Sequence, residues 1–142
     1  MATKADFSEA EWQVLQWAVA DTITYLSMAD PGLWDTFKEA SGAAHYVAGM
    51  STTSDNLLVR ELAAEAHTRH DKALTGDPGN VAGEAIERVK LAVGIVAQKA
   101  PDDLPAFKEL VVGAAKATAE AAHGIAPAEA AAIERLEAEL AL

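Results

Sequence analysis

At 142 residues the chain has the length of one domain, able to bury roughly 68–70% of its unfolded surface. Its 22 acidic and 11 basic side chains give a formal net charge of -11. The acids are spread along the chain, which excludes nucleic acid and anionic lipid as expected partners, since both are held by clustered Lys and Arg; a cation or a basic protein stays open. With no cysteine, disulfides, a thiolate nucleophile and Cys-based metal sites are excluded as well.

Alanine is abundant, only 6% of residues are aromatic, and Gly and Pro punctuate the chain at wide intervals, which favours helices over strands. The expectation is an all-α bundle of about six helices in a single domain, residues 1–142. Met1 to Asp6 carries an acid early and has no apolar h-region, and no apolar run approaches the roughly 18 residues that span a bilayer. No membrane insertion and a cytoplasmic location are expected.

Ser8-Glu9-Ala10-Glu11 is a capping box and starts helix 1. Trp12, Leu15, Val19, Ile23 and Leu26 recur at three and four and form a core stripe. On the opposite side Val14, Trp17, Tyr25 and Met28 cluster around Asp21, at about 100° per residue. Two readings follow: a central helix buried on both sides, or a helix whose second face meets another subunit.

Pro31-Gly32 stops helix 1. A second helix is predicted from about Leu33, with Leu33, Phe37, Ala40, Ala44 and Val47 in register, ended by Gly49 and the polar run Ser51 to Ser54. Ser54 is the predicted cap of a third helix, with Leu58, Leu62 and Ala66 as its stripe, that runs to about Leu74. Gly76-Asp77-Pro78-Gly79 is the strongest turn signal and divides the chain into two halves. Asn80 is the predicted cap of helix 4, striped by Ala82, Ile86, Val89, Val93 and Val96 and closed by Pro101. Asp102 or Asp103 opens helix 5, with Pro105 in its first turn and Phe107, Leu110, Val111, Ala114, Thr118 and Ala121 inward. Pro127 starts helix 6, whose stripe is Ile133, Leu136 and Leu140.

The chain carries a degenerate internal duplication. Helix 1, the turn Ala29-Asp30-Pro31-Gly32 and helix 2 correspond to helix 5, the turn Ala122-His123-Gly124 and helix 6. Glu39 and Glu129 follow their turns at nine and six residues from Asp30 and His123, each near the N-terminal dipole of the next helix.

This helix, turn, helix pattern with an early acid resembles the TerB-like domains of the tellurite-resistance and stress-response group, whose repeats carry an Ala-Asp-Gly turn followed by an acid. The resemblance covers about a third of the chain, at its two ends. It implies a compact, non-enzymatic helical module whose turn acids hold a divalent cation such as calcium. Carried over by residue, it implies Asp30 with Gly32 and Glu39 at the first turn, and Gly124 with Glu129 at the second, where His123 replaces the family's acid.

A calcium-type site takes roughly six to eight oxygens. Asp30, Asp35 and Glu39 with backbone carbonyls supply some of these, with Asp21 on the preceding helix, although no EF-hand spacing is present. Glu120 and His123 form one Glu-x-x-His pair, of which di-iron bundles need two. His67 and His70 at i, i+3, with Glu61 or Asp71, offer zinc ligation or pH sensing, or a solvated face at a helix C-terminus. No Ser-His-Asp set, phosphate loop or His-Glu-x-x-His occurs. The sequence therefore leads to a module for protein association, homo-oligomeric through Val14, Trp17, Asp21, Tyr25 and Met28, with a cation at Asp30, Asp35, Glu39 and Glu129. The rival is a metal-dependent enzyme or small-ligand binder using the acids and the Glu120, His123 pair in a cavity between helices 1 and 5.

Overall fold

A computed structural model describes residues 2–29, 38–66, 78–123 and 127–140. The architecture is an all-α bundle of α1 (Glu9–Ala29), α2 (Lys38–Thr53), α3 (Leu57–Ala66), α4 (Pro78–Lys99), α5 (Leu104–His123) and α6 (Pro127–Glu139). Single 3₁₀ turns at Lys4–Asp6 and Pro101–Asp103 precede α1 and α5. None of the described helices is long and apolar enough to cross a membrane.

The start of α1 is fixed locally. The Ser8 amide donates to Glu11 Oε2 at 2.8 Å, and the Glu11 amide donates to Ser8 Oγ at 3.1 Å, which is the capping box read from the sequence. Phe7, just before the cap, packs on Trp12 with ring centroids 5.9 Å apart, so a hydrophobic staple sets the angle at which the chain enters the helix.

The core is built from the predicted stripes. Leu15, Val19 and Leu26 of α1 meet Val89 and Val96 of α4, Phe107, Leu110, Val111 and Ala114 of α5, and Leu58 and Leu62 of α3 in one buried cluster. Burying each such aliphatic side chain contributes about 1.5–3 kcal/mol before the entropy of ordering it. The central helix is α1, which packs against α3, α4, α5 and α6, while α2 lies chiefly on α5 and α3. Thr22 and Thr118, both fully buried, donate to the carbonyls of Ala18 and Ala114 one turn back, so each hydroxyl is satisfied within its own helix.

Three predicted boundaries are corrected. Helix α2 runs through Gly49 and ends at Thr53, because Ser51, Thr52 and Thr53 donate their hydroxyls to the carbonyls of Ala48 and Gly49 and stay compatible with the helix. The cap of α3 is Asn56 rather than Ser54: Asn56 Oδ1 accepts the Val59 amide at 3.1 Å. Helix α4 already includes Pro78, so Asn80 is not its cap; proline at a first helical position gives up an amide that has no intrahelical partner. The predicted stretches from Leu33 to Phe37 and from His67 to Leu74 lie outside the described residues.

Asp103 joins three parts of the bundle. Its carboxylate, 4% exposed, accepts the Ala2 amide at 3.0 Å and Asn56 Nδ2 at 2.7 Å. The N-terminal segment, the cap of α3 and the turn between α4 and α5 thus share one acceptor.

Candidate functional site

Two ion pairs set α1 antiparallel to α4. Glu11 accepts from Lys99 Nζ at 2.6 Å near one end, and Asp21 faces Arg88 Nη1 at 3.4 Å near the other. The bond from Lys99, followed by that from the Ser8 amide, holds the Glu11 carboxyl below its ordinary value. Between these ties in sequence, each helix leaves one large apolar side chain open to solvent, Trp17 on α1 and Leu91 on α4. Trp17 is 37% exposed and Leu91 57%. Val14 and Ile95 are half-buried along the seam between the two helices and pack against the core cluster.

The Arg88 guanidinium occupies the space between the seam and the interior. It lies over the Trp17 ring, 5.5 Å from the centroid, while reaching Asp21 beneath. Asp21 is 5% exposed. Burial pushes its carboxyl up to about 6, against the opposing pull of Arg88 and with the help of Glu84.

The second face read on helix 1 is thus divided. Asp21 and Tyr25 are covered by this chain's own helices: Tyr25 is 6% exposed and its hydroxyl donates to the Ala132 carbonyl of α6 at 3.4 Å. Burial raises the Tyr25 hydroxyl above its usual value, opposed by Arg135 beside it. Among the described residues of this face, Trp17 is exposed and Val14 half-buried. Met28 is helical, and its side chain lies outside the described residues. The sequence reading missed Leu91 and Arg88. Leu91 leaves a signal, since it falls off the α4 core stripe among Glu87, Lys90 and Gly94.

The proposed ligand residues are not brought together in the described part. Asp30 and Asp35 lie outside it, as do His67, His70 and Asp71. Glu39 is in the first turn of α2, with its side chain undescribed. Glu129 is 1% exposed in the first turn of α6, in line with Ala132, Ile133 and Leu136. Glu120 is exposed on α5, and the side chain of His123 is undescribed. Among the described residues no group of three or more His, Asp and Glu is placed to hold a metal ion.

Clefts open on the surface of the described part, among them the following two. One, of about 570 Å³, lies between α4 and α6 and is lined by Glu84, Glu87, Arg88, Arg135 and Glu139; its two guanidiniums are offset by three carboxylates. The other, of about 380 Å³, borders the start of α1. Here Glu65 of α3 accepts from Trp12 Nε1 at 2.8 Å, Gln16 Nε2 at 2.6 Å and Lys4 Nζ at 2.7 Å. These donors come from the N-terminal turn and α1, so Glu65 clamps the N-terminal segment onto α3.

No protein-family model, curated protein or solved structure matches the chain.

Proposed function

We propose that the chain is a non-enzymatic helical module for protein association that pairs with a second copy of itself through the α1–α4 seam. The observation carrying this reading is that Trp17 of α1 and Leu91 of α4, 37% and 57% exposed, are large apolar side chains left open to solvent on two helices that pack against each other. Large aromatic and aliphatic anchors on a helix pair are what a second helical surface packs against. The backing is rigid, since α1 and α4 are tied at Glu11 with Lys99 and at Asp21 with Arg88. The net charge of -11 opposes pairing of two copies, so association is weak at low salt and tightens as ionic strength screens the repulsion.

Sedimentation of the full chain across a concentration series tests this. Trp17→Glu is expected to leave helix content unchanged and to shift the chain to monomer. An unchanged distribution of species would overturn the proposal.

A divalent cation at the first turn is a separate proposal. Its support is the TerB-like pattern of Asp30, Gly32 and Glu39 with Asp35 between, and it is independent of the seam.

A further inference from the structure

Lys4 is held at both of its nitrogens by one helix. Its backbone amide donates to Glu61 Oε2 at 2.7 Å, and its Nζ donates to Glu65 Oε1, also at 2.7 Å. Glu61 and Glu65 are one turn apart on α3, so their side chains share a face with Cβ atoms about 5–6 Å apart. The ammonium also lies over the Trp12 ring, 5.9 Å from its centroid. Five carbons, Cα to Cε, join the two nitrogens of a lysine residue. Lys4 therefore spans two carboxylates beside an indole with the skeleton of 1,5-diaminopentane.

The Glu65 end is built into the bundle. Its Oε2 accepts from Trp12 Nε1 at 2.8 Å and Gln16 Nε2 at 2.6 Å, and these residues are 3% and 5% exposed. Two buried neutral donors orient the carboxylate without cancelling its charge, so it is positioned for a cation. Clefts of about 530 and 380 Å³ adjoin here. Glu61 lines the first and Glu65 the second, while Lys4, Glu9 and Trp12 line both, so Lys4 stands where the two meet.

We propose that this space is a binding site for a linear diammonium ligand of the 1,5-diaminopentane type, with Lys4 as its built-in competitor. One ammonium takes the place of Nζ, at Glu65 and over Trp12; the other replaces the Lys4 amide at Glu61. The amide is neutral, so an ammonium at Glu61 makes a charge-assisted bond where the resident donor makes an ordinary one. Glu9 at the shared rim and the net charge of -11 draw cations toward the site. The Lys4 side chain is 54% exposed, so it leaves without opening the core. What the ligand must overcome is the high effective concentration of a group tethered to the same chain. The site involves neither Trp17 nor Leu91 and does not depend on self-association.

Lys4→Pro isolates the site. Lys4 is the first residue of a 3₁₀ turn and follows the extended Thr3, a place that suits proline, and the substitution removes both competing donors at once. The reporter is the indole N–H signal of Trp12, assigned through Trp12→Phe, in the full chain at about 0.15 M salt, where diffuse attraction is screened. With helix content unchanged, Lys4→Pro is expected to bind 1,5-diaminopentane at least about tenfold more tightly than the wild type does. It is expected to bind pentylamine and 1,3-diaminopropane about fivefold less tightly than 1,5-diaminopentane, the fold-change of one exposed ion pair. Adding Glu61→Gln is expected to erase the preference over pentylamine. In Lys4→Ala the amide stays on Glu61, so pentylamine and 1,5-diaminopentane are expected to bind alike. Failure of 1,5-diaminopentane to bind either Lys4→Pro or Lys4→Ala would overturn the site. So would affinities in Lys4→Pro that ignore amine length and are unmoved by Glu61→Gln, which would show only diffuse attraction of amines to an acidic chain.

Discussion

The hydroxyl of Tyr46 on α2 occupies the position where a side chain at Gly113 on α5 would begin. The two helices approach this closely because residue 113 lacks a Cβ, and Tyr46 fills the gap with a half-buried ring. Burial of that ring, with Glu109 close by, raises the tyrosine hydroxyl above its usual value.

Gly113→Ala is therefore expected to lower stability. Displacing a packed ring costs about 1–3 kcal/mol, only partly offset by the roughly 1 kcal/mol that alanine gains over glycine in a helix. In a Tyr46→Leu background the same substitution is expected to stabilise, because the propensity gain is then unopposed. Urea unfolding of the four chains gives the comparison; the same sign in both backgrounds would refute the steric account.

Removing the Asp103 carboxylate leaves the Ala2 amide and the Asn56 side-chain amide without their shared acceptor. Asp103→Ala is expected to cost about 1–3 kcal/mol, whereas the exposed neighbour in Asp102→Ala is expected to stay within about 0.5 kcal/mol. Equal effects in thermal unfolding would show that Asp103 is not the tie described above.

Asp21 gives the stability curve a definite sign. Its folded-state value, about 6, stands above the ordinary 3.8, so the folded chain holds this proton more tightly than the unfolded one. The stability it contributes is fully present below 3.8 and is lost as pH rises through about 6. Going from pH 7.5 to pH 5, the wild type is expected to gain stability relative to Asp21→Asn. Urea titrations at the two pH values check this, and a constant difference between the two chains would contradict it.

Millimolar calcium added to chelator-treated protein is expected to raise the unfolding temperature by several degrees, since a ligand of the folded state stabilises it by mass action. Asp30→Asn combined with Glu39→Gln is expected to abolish the shift. No shift in the wild type would remove the cation from the account.

What was legible in the sequence was what is decided locally. The box of Ser8 with Glu11 and the stripes of α1, α4 and α5 depend on neighbours within a turn or two; the box is formed, and the stripe residues whose burial is described lie in the core or, as Ile23 and Val93 do, half-buried against it, while the side chains of Ala82 and Ala121 lie outside the described part. The end of α2 misled because a Ser and Thr run reads as a stop, whereas in place each hydroxyl bonds back to its own helix. The seam was half legible. Trp17 was marked by helical spacing, but Leu91 and Arg88 join it only through the register of α1 on α4, which two ion pairs set across long stretches of chain. Asp103 was hidden for the same reason, since one of its partners lies at residue 2. The burial of Tyr25 depends on α6, which closes over α1 from the far end of the chain.

Self-association requires that the α1–α4 seam be a contact surface. Sedimentation velocity of the wild type, Leu91→Glu and Leu57→Glu at moderate salt addresses it directly, because Leu57 is also 37% exposed but lies on α3, away from the seam. The wild type and Leu57→Glu are predicted to populate a dimer that grows with concentration. Leu91→Glu is predicted to sediment as monomer, with association at least about tenfold weaker, as for a central anchor. A wild type that remains monomeric, or a dimer equally present in Leu91→Glu, would contradict it.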